Sequence, residues 1–159
     1  MNGELSLRNR QRTRPVDLKQ LRPIVLRILG FSEGIRHFDL DVQLVGEKEM
    51  AILNEKHVGH EGSTDVITID YEAGDGSESL VGELFICVDE ALIQARRFQT
   101  TWQSELVRYI VHGVLHLRGH DDLKPARRQK MKLEENRQVR QLAREFNLSK
   151  LHRKPKVSA

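Results

Sequence analysis

The sequence has a single cysteine and no long apolar run, and each shortage excludes a class of protein or site. Its single cysteine, Cys87, cannot form an internal disulfide, and a four-thiolate metal site is equally impossible. No run approaches the roughly 18–20 consecutive apolar residues that a membrane span requires, and the first residues lack the apolar stretch of a secretory signal. We therefore expect a soluble cytoplasmic protein without a membrane partner, in which any metal ion is held by His, Asp or Glu.

Charge is distributed unevenly along the chain, although the net charge is only +3. Residues 124–159 carry 12 basic and 3 acidic side chains, residues 1–16 have a net charge of +3, and the middle of the chain is acidic. Basic ends of this kind favour a polyanion such as nucleic acid as partner, through phosphate attraction and counterion release. A solvated helix face with a frayed tail explains the same charges, so charge alone leaves both interpretations open.

The 159 residues leave room for one domain with one core, and their pattern mixes strands with helices. Strands are predicted at residues 5–7, 37–44, 64–71 and 83–88, where apolar positions alternate or β-branched residues cluster. Helices are predicted at residues 17–30, 47–57, 89–99, 104–118 and 125–146, with Asp17 and Asp89 as caps and Pro125 in a first turn. We expect an α/β or α+β fold, with a mixed, largely four-stranded sheet and about five helices. It forms one domain over residues 1–148, followed by a basic, disordered tail at 149–159.

The most informative segment is HGVLHLRGHDD, residues 112–122. His112 and His116 are four residues apart in a predicted helix, so their side chains are separated by about 40° on one face. Gly119 lets the chain turn back, and one of the three side chains after it can complete a set of three protein ligands, with a fourth position for water. Two histidines without an ion are the alternative, but such a density of His and Asp has no packing explanation. The pattern predicts a catalytic metal site at the end of a central helix.

The residue after the first histidine separates this motif from a common class of metalloenzyme. Gly113 stands where HExxH metalloproteases have the Glu that acts as general base. Peptide hydrolysis is therefore disfavoured, while a metal-dependent hydrolase of another class remains open.

The same motif resembles the YbeY family of bacterial single-domain endoribonucleases, together with Leu53 and Asn54, STDVITI at 63–69 and GELFIC at 82–87. The resemblance covers about residues 5–148. It implies a single-strand-specific, metal-dependent endoribonuclease for ribosomal RNA processing, notably maturation of the 16S rRNA 3′ end, and for ribosome quality control. It also implies one zinc ion and the RNA of the small ribosomal subunit as partner. No catalytic group is assigned beyond the water at the metal.

The family motif reads HGxLHLxGxDH, and its third histidine falls on Asp122 in this sequence. The resemblance therefore implies the metal ligands His112, His116 and Asp122, a set that still suits zinc. His120 is the fallback ligand. Asp121 is expected to orient a metal-bound histidine through a hydrogen bond.

A second departure from the family pattern removes a cation. The family has an arginine just before a glycine, shortly after the motif asparagine, whereas this sequence has Val58. Lys56, Arg118 or the basic C-terminal helix would have to replace it, and Thr64 and Asp65 are either further substrate contacts or turn formers. The loss also leaves open a non-catalytic RNA-binding or ribosome-binding assembly factor with a structural metal.

Overall fold

A computed structural model describes residues 1–57, 64–72 and 78–155. Its elements are β1 (Asn2–Asn9), α1 (Leu18–Gly30), β2 (His37–Val45), α2 (Glu47–His57), β3 (Val66–Asp70), β4 (Ser79–Cys87), α3 (Val88–Phe98), α4 (Trp102–Leu117) and α5 (Pro125–Glu145), followed by a 3-10 turn (Leu148–Leu151). The expected mixed fold with four strands and five helices is confirmed for this part of the chain. Within it, no helix is both long and apolar enough to cross a bilayer.

The strands form one sheet in the order β1-β2-β4-β3, in which only β3 runs antiparallel to its neighbour. Strand β4 begins at Ser79, before the predicted start at 83, because residues 79–82 pair with the first half of β2. One face of the sheet, with Leu40 and Leu84, packs on α1 and α4, and the other, with Phe85, packs on α2. Helix α4 also contacts α3 and α5 and is therefore the central helix of the fold.

Two glycines allow α4 to approach β4 closely. A Cβ on Gly113 would lie 2.6 Å from Cδ2 of Leu84, and a Cβ on Gly82 would lie 2.7 Å from Cδ2 of Leu117. A side chain at either position would displace the leucine that packs against the glycine. The helix begins two residues earlier than the predicted Ser104, because Thr101 accepts a hydrogen bond from the Ser104 N–H and caps it there.

The predicted cap of α3 is wrong. Cys87 is the residue before the helix, and its side chain makes no capping hydrogen bond. The Asp89 carboxylate instead accepts from the backbone N–H of Glu47 and from the hydroxyl of Thr13, at 2.6 and 2.8 Å. Asp89 therefore holds the start of α2 and the segment after β1 against α3.

The prediction of a disordered tail from residue 149 is wrong for the first part of that segment. Leu151 is fully buried, His152 forms a β-bridge with Val16, and the Arg153 N–H donates to the backbone oxygen of Pro15. The apolar residues of the 3-10 turn join the core, which explains why this part of the basic segment is ordered. Residues 156–159 lie outside the described part of the chain.

Candidate metal centre

Three side chains of the histidine motif meet beside the end of α4. One ligand atom from each of His112, His116 and Asp122 lies within 4.8 Å of the other two. The two histidines are half-buried on one face of the helix, and Asp122 is exposed. Between them Gly119, at φ 93°, takes the left-handed conformation that turns the chain back after the helix. Among the residues described, this is the one group of His, Cys, Asp or Glu that could hold a metal ion.

The ring of His112 is oriented by a buried carboxylate on α5. Oε1 of Glu135 lies 2.8 Å from Nδ1 of His112, and Oε2 accepts from Arg108 and Lys132 at 2.7 and 3.0 Å. Burial raises the pKa of Glu135, but the hydrogen bonds from His112, Arg108 and Lys132 outweigh it and bring the pKa to about 2. The carboxylate is therefore ionised at neutral pH, so Nδ1 of His112 is the donor.

The ring of His116 is oriented by a backbone carbonyl. Its Nδ1 lies 3.0 Å from the backbone oxygen of His120, which can only accept a hydrogen bond. Burial lowers the pKa of His116, and the neighbouring His112 lowers it further. The neutral ring is thus favoured, with its proton on Nδ1 and its lone pair on Nε2.

These two tautomers place lone pairs against each other. The Nε2 atoms of His112 and His116 are 3.1 Å apart, and with both rings neutral and protonated on Nδ1 each Nε2 is an acceptor. Two facing lone pairs repel unless a cation lies between them. The lowered pKa of His116 opposes a proton on that ring, and two neutral imidazoles beside the Asp122 carboxylate form a donor set that fits a metal ion.

The structure places Asp121 and His120 in other contacts. Asp121 pairs with Arg127 at 3.1 Å, and the carboxylate that holds His112 comes from α5 instead. His120 contributes its backbone oxygen, and among the described residues its ring is not part of the three-ligand group.

Thr64 and Asp65 directly precede β3. The Asp65 carboxylate accepts from the N–H of Val66 at 2.7 Å, and the Asp65 backbone oxygen accepts from the N–H of Cys87. These contacts are typical of a turn that leads into a strand, so they give Asp65 a structural role.

The predicted cations lie at two helix ends. Lys56 is exposed in the last turn of α2. Arg118 directly follows α4 and donates to the backbone oxygen of Glu33 at 2.6 Å, which joins the end of α4 to the segment after α1. Val58 lies outside the described residues.

The sequence interpretation missed Glu135, which contacts the candidate ligand His112, and Arg108, which donates to Glu135. A signal for Glu135 was present, because it lies in the apolar stripe of α5 with Met131, Val139 and Leu142 at helical spacing. A carboxylate in such a stripe is rarely buried without a partner. Arg108 precedes His112 by one helical turn and had no comparable signal.

Comparisons with known proteins show the family and support the fold of this chain. A family model described as Endoribonuclease YbeY matches residues 6–143. Proteins named Endoribonuclease YbeY include one from Chlorobium phaeovibrioides, 35% identical with 72% of this chain and 76% of the relative covered, and one from Chlorobium luteolum, 33% identical with 89% and 99% covered. A solution structure of a Thermotoga maritima protein, 23% identical, covers 98% of this chain and 100% of that chain with a TM-score of 0.64, which supports the fold alone. The family match and these relatives show that the chain belongs to the endoribonuclease YbeY family.

Proposed function

We propose that this protein is a zinc-dependent endoribonuclease that cleaves single-stranded regions of ribosomal RNA in the cytoplasm. Its substrate includes the small-subunit RNA, with maturation of the 16S rRNA 3′ end and ribosome quality control as the processes served. The relatives named as endoribonucleases support phosphodiester cleavage. The observation that carries the proposal is the close approach of the two imidazole Nε2 atoms, 3.1 Å apart, beside the Asp122 carboxylate.

The geometry of the two histidines suits zinc. Nitrogen ligands at 2.0–2.1 Å from one tetrahedral zinc lie about 3.4 Å apart, close to the 3.1 Å between the Nε2 atoms of His112 and His116. Two histidines and one carboxylate make three protein ligands, the number that catalytic zinc sites use while they keep a position for water. A bound divalent ion supplies a Lewis acid that polarises a phosphoryl oxygen and lowers the pKa of water.

The protein's own groups position these ligands. Glu135 and the backbone oxygen of His120 hold the two rings so that both Nε2 atoms point to one place. Asp122 is exposed, so the site opens to solvent on the side where RNA can enter. We assign no side chain of the motif as general base, and Lys56 and Arg118 remain the proposed phosphate contacts.

The test is cleavage of structured ribosomal RNA by the purified protein, with and without a chelator. His116→Ala is compared with His37→Ala, which removes an exposed histidine at the start of β2. We expect wild type and His37→Ala to cleave, and expect chelation or His116→Ala to abolish cleavage in a protein that keeps its circular dichroism spectrum. Cleavage that survives both treatments would contradict the proposal.

A second function is favoured by one specific feature, the valine at position 58 in place of the family arginine. It is that of a non-catalytic assembly factor that binds ribosomal RNA and holds a structural metal. Binding of RNA and zinc without cleavage, in the same experiment, would support this function over the first.

A further inference from the structure

A groove of about 780 Å³ lies between the segment after α1, the end of α4 and the outer side of α5. Its lining includes Phe31, Glu33, Arg118, Lys130, Leu133 and Arg137. A smaller hollow of about 460 Å³ adjoins it and extends to Gly119 and Asp121. The two share Arg118, His120 and Lys130 in their walls, so we treat them as one surface, the α5 groove.

One end of the α5 groove lies beside the candidate metal ligands. Asp121 lines that end and directly precedes Asp122, and neighbouring Cα atoms are only about 3.8 Å apart. His120, which also lines the groove, contacts Nδ1 of His116 through its backbone oxygen at 3.0 Å. When the scissile phosphate of an RNA lies at the ligands, the adjoining nucleotides are within reach of the groove.

Two cations in the groove have no carboxylate partner in the described part of the chain. Arg118 donates only to the backbone oxygen of Glu33, a neutral acceptor. Lys130 has neither a hydrogen bond nor an ion pair among the residues described. Arg137, by contrast, pairs with Glu134 in two hydrogen bonds. The positive charges of Arg118 and Lys130 are therefore available to phosphate, which binds Lys and Arg with release of counterions.

An exposed aliphatic side chain stands next to these cations. Leu133 is 62% exposed on a helix whose outer side is otherwise mainly charged, and it lies three residues after Lys130 on the same helix face. An unpaired nucleotide combines an anionic phosphate with a flat, largely apolar base. It can therefore contact Lys130 and cover Leu133 at the same time.

We propose that the α5 groove binds the single-stranded RNA on one side of the scissile bond, with Arg118 and Lys130 on phosphates and Leu133 against an unpaired base. This inference rests on the proposed endoribonuclease function and adds the path of the substrate away from the metal ligands. Charge complementarity and the adjoining ligands favour RNA over an acidic peptide, the other ligand that would suit two free cations.

The charge of the groove is tested with a matched pair of substitutions. Lys130→Glu and Lys48→Glu each change the net charge from +3 to +1, and Lys48 is exposed on α2, outside the walls of the groove. A short labelled single-stranded RNA is titrated at increasing salt with a chelator present, so that binding is measured without cleavage. Loss of one phosphate contact lowers the salt slope by about 0.7, which is about fivefold in affinity at 0.1 M salt. We expect at least this loss for Lys130→Glu, and the wild-type slope for Lys48→Glu.

The apolar contact is tested with Leu133→Ser, which should weaken RNA binding and leave the salt slope unchanged, since no charge is altered. Two results would overturn the proposal that the α5 groove binds RNA. One is wild-type RNA affinity in both Lys130→Glu and Leu133→Ser, and the other is an equal loss of RNA affinity in Lys130→Glu and Lys48→Glu. The proposal would also be overturned if Lys130→Glu lost binding to an acidic peptide but bound the RNA as wild type does. Because the titration excludes metal, its result is separate from cleavage: a wild-type protein that binds RNA through the groove but never cleaves it would contradict only the enzymatic proposal.

Discussion

The substitution Glu135→Gln tests whether the fold and the metal site depend on the same buried carboxylate. Glu135 is 3% exposed and accepts hydrogen bonds from His112, Arg108 and Lys132. Glutamine keeps the size of the side chain but removes the charge, and its amide must direct a donor at one of three groups that are themselves donors. We expect a loss of stability and a loss of metal affinity together.

Two considerations set the size of the stability effect. The pKa of Glu135 falls from 4.5 to about 2, and at about 1.4 kcal/mol per pKa unit the ionised carboxylate contributes roughly 3 kcal/mol at neutral pH. Breaking a buried ion pair by removal of one partner costs about 3–5 kcal/mol. Because the Arg108 and Lys132 side chains are 26% and 61% exposed, water replaces part of the lost contact. We therefore expect a decrease of about 2–3 kcal/mol in the free energy of unfolding.

The pH dependence has a definite sign. The pKa of Glu135 is lower in the folded protein than in the unfolded chain, so its stabilisation is complete above pH 4.5 and is lost as the pH falls from 4.5 towards 2. In protein freed of metal by a chelator, the stability difference between wild type and Glu135→Gln should be constant near neutral pH. It should close as the pH falls below 4.5.

The assay is urea unfolding followed by the fluorescence of Trp102, which packs against the core, together with zinc titration of the folded protein. Loss of a carboxylate that orients a metal-binding histidine weakens metal affinity by about 10–100-fold. Glu134→Gln is the matched control, because Glu134 is on the same helix and pairs with Arg137 at a more exposed position. Its pair should contribute about 0–1 kcal/mol. Equal effects of the two substitutions on zinc affinity would refute the role of Glu135.

Three further predictions concern the ligand set and the packing around it. Asp122→His exchanges the carboxylate of the proposed third ligand for a neutral imidazole, which would make the site more positive and water bound there more acidic. The pH–rate profile of RNA cleavage should therefore move to lower pH; an unchanged profile would argue against Asp122 as a ligand. Leu151→Ala removes a fully buried side chain and should lower the free energy of unfolding by about 2–5 kcal/mol, whereas a disordered tail would show no change. Gly113→Ala would bring a Cβ within 2.6 Å of Leu84, and a thermal melt should show a loss of about 1–3 kcal/mol.

Local patterns predicted most elements, because a strand or helix imposes its own period on the residues. The alternation in β2 and the cap at Asp17 are read from neighbouring residues, and the structure confirms both. The order of the strands and the antiparallel direction of β3 depend on pairings between distant residues, as between Ile67 and Phe85. No local period encodes these pairings, which is why the sequence predicted a mixed sheet without its order.

In the candidate site, too, local spacing predicted some contacts, and others depend on how distant elements pack. His112 and His116 could be placed on one face from helical spacing alone, and the structure brings them together with Asp122. Glu135 could not be assigned to His112, because their contact depends on how α5 docks on α4. The order of the segment around Leu151 was not predicted for a related reason. Most of its neighbours are charged or polar, and no local pattern indicates that Leu151 packs in the core.

Helix α5 contributes to both the candidate metal site and the α5 groove, because its two sides contact different parts of the protein. Its inner side brings Glu135 to the ring of His112, so docking of α5 favours the tautomer that presents Nε2 to the site. Its outer side carries Lys130 and Leu133 into the wall of the α5 groove. A substitution that loosens the docking of α5, such as Glu135→Gln, should therefore weaken RNA binding as well as zinc binding, whereas Lys130→Glu should weaken RNA binding alone. Loss of both zinc and RNA binding in Glu135→Gln, with loss of RNA binding alone in Lys130→Glu, would show that α5 positions the metal site and the α5 groove as one rigid element.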